Sequence, residues 1–163
     1  MTITQIAQSI SDSPIGSAIA GSQLVFPLIE GANLLSLAIS IGLLFVTDLR
    51  LLGLLLRQVP VDTVLTHLRP WVLSGFVVTF VTGGLLFWAE AATLITNPAF
   101  PIKLVFIALA GINAAVFELR LGRRAAEWAQ HATPPAGVKL AAASSLLLWS
   151  VVVVTGRLIP YLG

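Results

Sequence analysis

Four long apolar segments alternate with shorter polar connections along the 163-residue chain. The segments cover residues 24–47, 71–89, 101–117 and 140–158. A helix of about 20 predominantly apolar residues is long enough to cross the hydrocarbon core of a bilayer. The pattern therefore predicts an all-α integral membrane protein, with a four-helix bundle that occupies residues 23–163.

The first 22 residues are too polar to form a fifth span, but they carry a helical pattern. Apolar residues recur at the spacing of one helical face, at Ile3, Ile6, Ala7 and Ile10. Ser13-Pro14 is typical of a helix start, with proline in the first turn. We expect residues 1–22 to form short helices in the extracytoplasmic membrane interface, with a frayed polar tail as the alternative. The segment holds no Lys or Arg, so it is not expected to be a secretory signal.

Composition supports the membrane class and excludes several kinds of site. Charged residues make up 10% of the chain, whereas a soluble domain carries roughly 25%. The net charge of +2 comes from basic residues that are scattered at the ends of apolar segments, which argues against nucleic acid as a partner. Because the chain has no Cys, disulfides, iron–sulfur clusters and thiolate metal sites are excluded.

The basic residues are distributed unevenly between the two sides of the predicted bundle. Seven of the nine lie in the connections 48–70 and 118–139, at Arg50, Arg57, Arg69, Arg120, Arg123, Arg124 and Lys139. The opposite side has Lys103 and Arg157. Short loops rich in Lys and Arg remain in the cytoplasm. We therefore expect a multi-pass protein of the bacterial inner membrane with both termini extracytoplasmic.

The two connections are expected to extend the first and third helices past the lipid. Pro60 should stop the first extension, and Asp62 should cap a separate short surface helix before the second span. Asp48 and Glu118, each two residues before an arginine, are interpreted as ordinary interfacial anchors that orient the helices.

Small residues recur at four-residue spacing in the first two spans. They form the rows Ala32-Ser36-Ser40 and Gly75-Thr79-Gly83. Such rows let helix backbones approach closely in a membrane. The pattern predicts packing between helices of one chain, and a dimerisation face is the alternative.

All four spans place an ionisable residue near the same, extracytoplasmic end. These residues are Glu30, Glu90, Lys103 and Arg157, with Asn33 one helical turn deeper than Glu30. Charges inside a membrane usually face the bundle interior and pair with one another. Glu30 with Arg157 is the preferred pair, because arginine can hold a carboxylate through two parallel hydrogen bonds. The cluster is either an internal ion-pair lock or a small polar pocket for a ligand, a lipid headgroup or a partner subunit.

The sequence offers few groups for catalysis or for a cofactor. His67 and His131 are the only histidines, and both lie in the connections rather than in a span. Haem held by two histidines within the bundle is therefore not expected, and no histidine can reach the Ser and Thr hydroxyls of the spans to act as a base. We predict no catalytic residue, metal site or cofactor. Trp149, in the middle of the fourth span, is interpreted as a packing residue, with a lipid-facing or cofactor-facing position as the alternative.

Several short stretches occur together in one order along the chain. They are SPIGSAIAGSQ at 13–23, FPLIE at 26–30, TDLRLLGL at 47–54, NPAFPIKL at 97–104, AGIN at 110–113 and LWSVVVVTGRLI at 148–159. Together they resemble an uncharacterised family of small bacterial inner-membrane proteins with four helices. The resemblance implies the four-span fold and no particular activity. A remoter likeness, to the membrane domain of copper-resistance D proteins, rests on helix number and the placement of polar residues.

One position departs from the pattern of the family that the chain resembles. The residue three positions after the FPxxE glutamate is commonly histidine in that family, and here it is Asn33. If the family binds a metal or haem through that histidine, the resemblance implies that this member has lost the site. Asparagine still donates and accepts hydrogen bonds.

These observations favour a non-enzymatic membrane protein that serves as a structural or accessory subunit of a membrane complex. The expected partners are membrane lipid and either other membrane subunits or further copies of the chain. The first alternative is a small carrier or ligand-binding protein that uses the extracytoplasmic polar cluster. The second alternative is a redox or metal-handling membrane protein.

Overall fold

The computed structural model describes residues 2–122, 125–129 and 134–162. Within these residues the chain is helical and contains no strand. Seven α-helices are present in the described part: α1 Ile3–Ser11, α2 Pro14–Ala20, α3 Val25–Leu51, α4 Val61–Thr96, α5 Ala99–Val116, α6 Ala125–Trp128 and α7 Ala136–Leu158. A π-helical turn, Phe117–Leu121, continues α5, and a 3-10 turn, Ile159–Tyr161, continues α7. Arg123, Arg124 and His131 lie outside the described residues.

Four of the described helices are long and apolar enough to cross a membrane. They are Val25–Leu51, Val61–Thr96, Ala99–Leu121 and Ala136–Tyr161, where the last two include the short turns that continue α5 and α7. The all-α class and the four membrane-capable helices are thus confirmed. The protein is a multi-pass membrane protein.

The second long helix differs most from its sequence-based description. The short surface helix expected after Asp62 and the span expected from residue 71 form one continuous helix, α4, of 36 residues. Pro70 lies inside this helix, at the junction between the two expected segments. Proline is tolerated within membrane helices, because neighbouring groups can satisfy the backbone carbonyl that it leaves free. The expected break is therefore absent, and the true start of α4 follows Pro60.

The helix starts near the N-terminus agree with the sequence pattern. The Ser13 side chain caps α2 by accepting a hydrogen bond from the Gly16 amide, and Pro14 occupies the first turn. Both α1 and α2 pack against α4. The indole of Trp88 donates to Ser13 Oγ at 2.9 Å, and the amide of Ala92 donates to Ser11 Oγ at 3.2 Å. These bonds fasten the N-terminal helices to α4 where its backbone is kinked at Glu90.

The four long helices are arranged unevenly. Helix α3 packs along α4, α5 packs along α7, and the two pairs meet where α3 contacts α7. By contrast, α4 and α5 scarcely touch each other. The bundle is therefore open along the seam between α4 and α5.

The α3–α4 seam is held by the small residues that the sequence predicted to pack. A side-chain Cβ added at Gly75 would overlap Ser40 Oγ, so the two helices approach as closely as a glycine allows. Ser36 Oγ lies 2.9 Å from Thr79 Oγ1 across the same seam. The rows of small residues thus pack two helices of one chain together.

Candidate functional site

Charged residues gather at both ends of the bundle, and each end is called by one of its acids, Glu30 or Asp48. The Glu30 end holds Glu30, Glu90, Lys103 and Arg157, and the Asp48 end holds Asp48, Arg69 and Glu118. Helix α3 runs from the first end to the second, so the two ends lie on opposite sides of the membrane-crossing segments.

At the Glu30 end, Asn33 is a packing residue of the α3–α4 seam. Its Nδ2 donates to the Thr79 carbonyl at 2.8 Å and lies 2.9 Å from Thr82 Oγ1. Both hydrogens of the amide are engaged by α4, so the side chain joins two helices rather than facing an open pocket.

The expected ion pair between Glu30 and Arg157 is not formed. Glu30 is exposed and lies close enough to Glu90 for the two carboxylates to repel each other. The Arg157 guanidinium lies instead over the Tyr161 ring, 5.7 Å from its centroid. The reason is geometric: α7 packs mainly on α5 and meets α3 around Ile41, Trp149 and Val152, about three helical turns along α3 from Glu30.

Lys103 is placed differently from the other three charged residues of this end. It is half-buried, and its aliphatic stem runs alongside Gly156 of α7. The structure thus brings Glu30 together with Glu90, but it forms no ion pair within 4 Å between these acids and either base. A ligand-binding role for this cluster stays a prediction.

The Asp48 end holds the acid that is buried. Asp48 is only 4% exposed, and its Oδ2 has no hydrogen-bond partner among the described residues. The Ser145 hydroxyl of α7 lies beside the carboxyl group. The interpretation of Asp48 as an interfacial anchor is therefore wrong, because α4 and α7 enclose it. A buried carboxylate without a partner is costly, so such a group is a candidate functional residue.

Asp48 lines a cavity of about 310 Å³ in the open seam, which we call the α4–α5 cleft. Helices α4 and α5 form its sides, and α3 and α7 form its floor. The apolar lining residues are Leu44, Leu51, Leu65, Val72, Leu73, Phe76, Phe80, Ile107, Gly111, Ala114, Phe117, Ala141, Ala142 and Trp149. Ligand sites in proteins are commonly apolar clefts of roughly 300–1,000 Å³ with a few polar groups. The α4–α5 cleft has this composition.

The cleft is elongated, and Asp48 lies towards one of its ends. Its α4 wall runs from Leu65 to Phe80, which is about 22 Å at 1.5 Å per residue. Helices α3 and α4 are antiparallel, and Ser36 of α3 lies opposite Thr79 of α4. Asp48 is 12 residues after Ser36 along α3, so it lies at the height of the α4 residue 12 positions before Thr79, which is residue 67. Phe80 is then about 20 Å deeper along the bundle than the carboxylate. The arrangement is one acid at the end of a long apolar groove.

An ion pair joins α4 to the end of α5 beside Asp48. Arg69 Nη2 lies 2.9 Å from Glu118 Oε2, and both side chains also line the cleft. Glu118 stands in the π-helical turn, a wider form of helix that is frequent at functional sites. Since Arg69 and Glu118 pair with each other, Asp48 is the acid of the described lining that has no basic partner.

The burial of Asp48 has a weak signal in the sequence. The row of small residues in α3, Ala32-Ser36-Ser40, continues at the same four-residue spacing through Leu44 to Asp48. Residues four apart share a face of a helix. The acid therefore lies on the packed face of α3, whereas Glu30 falls outside this row.

The remaining candidate residues are placed as follows. Trp149 is 7% exposed and stacks on Phe76 with 4.6 Å between ring centroids, so it packs inside the bundle and lines the cleft. His67 is exposed, and its Nδ1 lies 2.8 Å from the Thr63 carbonyl. In the described part of the chain, no three His, Asp or Glu side chains gather as a metal site would require.

Comparison with known proteins gives one match. A family model covers residues 13–162, nearly the whole chain, and its family is the family of unknown function DUF6644. The chain therefore belongs to this family, which confirms the resemblance to an uncharacterised family. No curated protein and no solved structure matches the chain.

Proposed function

We propose that this DUF6644 member binds a hydrophobic small molecule or lipid that enters the α4–α5 cleft from the bilayer. The observation that carries the proposal is the open seam itself. Two adjacent membrane helices leave an apolar cavity of about 310 Å³ between them, and a buried acid lies within it. A cleft that faces lipid along its length is filled most readily by a molecule that already resides in lipid.

Polar placement in the cleft supports ligand binding over mere imperfect packing. A void that arises by chance in a core is lined by apolar atoms and stays dry. The α4–α5 cleft instead contains the Asp48 carboxylate, with Oδ2 unpaired, and the Ser145 hydroxyl. Burying a carboxylate in the cleft is costly without a partner. A bound group that pairs with Asp48 would offset this cost, which supports ligand binding at this position.

The test is mild-detergent purification followed by native mass spectrometry of the intact protein. We expect one bound small molecule or lipid per chain. In the variant Gly111→Leu the added side chain should occupy the cleft, because Gly111 lines it and an added Cβ meets no atom within 4 Å. The bound molecule should then be lost.

The matched control for this experiment is Gly42→Leu. Gly42 is exposed on α3, does not line the cleft, and likewise has no atom within 4 Å of an added Cβ. Gly42→Leu should retain the bound molecule. A wild-type protein without bound molecule and without saturable binding of any amphiphile would overturn the proposal.

An accessory subunit of a membrane complex is the second proposed function. The apolar seam between α4 and α5 would also seat a single membrane helix from another protein, since its lining includes the small residues Gly111 and Ala114. The same purification separates the two functions. A stoichiometric protein partner that is lost in Gly111→Leu but retained in Gly42→Leu would favour the accessory subunit.

The location that we propose is the bacterial inner membrane with the Asp48 end in the cytoplasm. Arg50, Arg57 and Arg69 lie at this end, as the bias of Lys and Arg toward cytoplasmic loops requires. Single cysteines introduced at each end report orientation cleanly, because the natural chain has none. A membrane-impermeant thiol reagent added to intact cells should label a cysteine at Gln23 and spare one at Gln58. The opposite labelling would overturn the orientation.

A further inference from the structure

We infer that the ligand of the α4–α5 cleft is an amphiphilic amine, whose protonated nitrogen pairs with Asp48 while its hydrocarbon part lies along the aromatic wall of α4. This inference rests on the proposed function and names the ligand class for the same cleft. It is carried by three observations: the unpaired buried carboxylate, the sign of the charge in the cleft, and the shape of the apolar groove.

The charge of the cleft selects a cation. Asp48, Arg69 and Glu118 are the charged residues among the described lining, and the last two form an ion pair at 2.9 Å. Asp48 is therefore the acid of the described lining that has no basic partner, and its side chain is 96% buried and has an unpaired oxygen. A single positive group with hydrogens to donate would satisfy both the charge and the hydrogen-bonding capacity.

The donor set of the cleft tells against a metal cation. Calcium takes six to eight oxygen ligands, and magnesium takes six in near-octahedral geometry. Besides the carboxylate of Asp48, the uncharged polar groups of the lining are the hydroxyls of Ser145 and Thr47 and the amide of Asn113. Thr47 Oγ1 donates to the Leu43 carbonyl at 3.0 Å, and Asn113 Nδ2 donates to the Ala141 carbonyl at 3.0 Å. These groups supply fewer oxygens than six. An ammonium group needs fewer partners, and one carboxylate with one hydroxyl can hold it.

The apolar part of the groove selects a hydrocarbon attachment. From the level of Asp48 the groove extends about 20 Å deeper, to Phe80. On the way it passes the stacked rings of Phe76 and Trp149, whose faces also attract a nearby cation. A hydrated ammonium ion would leave this surface empty. An alkyl or arylalkyl chain would fill it.

Two sources can supply such an amine: a single-chain amine dissolved in the membrane, or the aminoethyl headgroup of a phospholipid. The volume of about 310 Å³ holds a headgroup or a chain of roughly ten carbons, and the open side of the cleft lets acyl chains pass into the bilayer. The chemistry at Asp48 is the same for both sources.

The experiment measures binding to the full chain in phosphatidylcholine nanodiscs, with the signal of empty nanodiscs subtracted. The probes are decylammonium and its neutral counterpart decanol, which differ only in the polar group. We expect wild-type protein to bind decylammonium about tenfold more tightly than decanol, because a hydrogen-bonded charge pair adds to the apolar contacts that both probes share.

Asp48→Asn removes the charge and keeps the shape of the side chain. In this variant decylammonium should bind about tenfold more weakly, with decanol unchanged. The matched control is Asp62→Asn, which removes an exposed acid at the same end of the bundle and should change neither affinity. Thermal unfolding of both variants checks that they remain folded.

Each outcome decides a separate point. If neither probe binds wild-type protein saturably and the purified protein carries no bound molecule, the proposed function itself fails. If neither probe binds but another molecule co-purifies in the cleft, the amine inference alone is overturned. If both probes bind equally and Asp48→Asn changes neither, the cleft binds ligands and the amine inference is overturned. If decylammonium binds more tightly than decanol and Asp48→Asn removes the difference, adding phosphatidylethanolamine to the nanodiscs separates the two sources. Competition between this lipid and decylammonium identifies the lipid headgroup as the ligand. Lack of competition identifies a single-chain amine.

Discussion

Among the long helices, α4 borders α3 on one side and α5 on the other, and the contrast between these two seams explains most of what is unusual in the molecule. Towards α3 the seam is closed, because Gly75 lets the backbones approach Ser40 and because Asn33 donates two hydrogen bonds to α4. Towards α5 the seam is open, and an ion pair at one end is the main polar link across it. Close packing on α3 fixes the position of α4. The opposite face of α4 then forms the apolar wall of the α4–α5 cleft.

Two glycines make the contrast testable with a single kind of substitution. An added Cβ at Gly75 overlaps Ser40, whereas an added Cβ at Gly111 meets nothing within 4 Å. Gly75→Leu should therefore be the most damaging change, with a loss of about 3 kcal/mol in the free energy of unfolding or a failure to fold. Thermal unfolding in detergent measures the loss. Gly111→Leu should leave the unfolding temperature nearly unchanged, and equal damage at both positions would mean that the α4–α5 seam is closed.

Removing the amide of the closed seam should have the next largest effect. Asn33→Ala leaves the Thr79 carbonyl and the Thr82 hydroxyl without their partner on α3. Hydrogen bonds between membrane helices contribute roughly 0.6–1.7 kcal/mol, so we expect a loss of about 1 kcal/mol. Equilibrium unfolding in mixed detergent measures this loss in the free energy of unfolding. A variant as stable as wild type would show that steric fit alone holds this seam.

Neutralising the acids of the two ends should separate them by their effect on amine binding. Asp48→Asn replaces a buried carboxyl group whose Oδ2 lacks a partner, so stability should be unchanged or higher by about 1 kcal/mol while amine binding falls. Glu30→Gln changes an exposed side chain, which should alter neither stability nor binding. A marked loss of stability in Asp48→Asn would mean that the carboxylate is held by the fold rather than reserved for a ligand.

The ion pair across the open seam should contribute least to stability. Arg69 and Glu118 are 41% and 47% exposed, and exposed pairs are worth about 0.2–1 kcal/mol. Arg69→Gln and Glu118→Gln should each cost about 0.5 kcal/mol or less, and the double variant should cost no more than either one. Losses of several kcal/mol would show that this pair, rather than the α3–α4 and α5–α7 packing, holds the bundle together.

The sequence predicted the features that depend on local pattern. Apolar length identified the four long helices, and Ser13-Pro14 identified the start of α2. Pro60 and Pro70 show that local sequence pattern does not decide whether a proline ends a helix. Both residues favour a break, but a helix passes through Pro70 because its neighbours in the bundle can satisfy the backbone that proline frees.

The site was harder to predict, because burial near a helix end depends on other helices. The sequence suggested that Glu30 would be the acid inside the bundle and Asp48 the one at its edge. The structure reverses their exposure, since α7 brings Ser145 against Asp48 while Glu30 stays exposed beside Glu90. Neither contact can be derived from spacing within α3, although the row of small residues pointed to the correct face.

The most direct measurement of the contrast between the two seams is the reactivity of single cysteines in the natural cysteine-free chain. Gly111→Cys, Gly42→Cys and Ser40→Cys would be treated with a small membrane-soluble thiol reagent, with and without decylammonium. Ser40 is fully buried in the closed seam, so its cysteine should not react. The cysteine at 111 should react and be protected by decylammonium, while the one at 42 should react without protection. An unreactive cysteine at 111, or equal protection at 42, would contradict a ligand-binding open seam between α4 and α5.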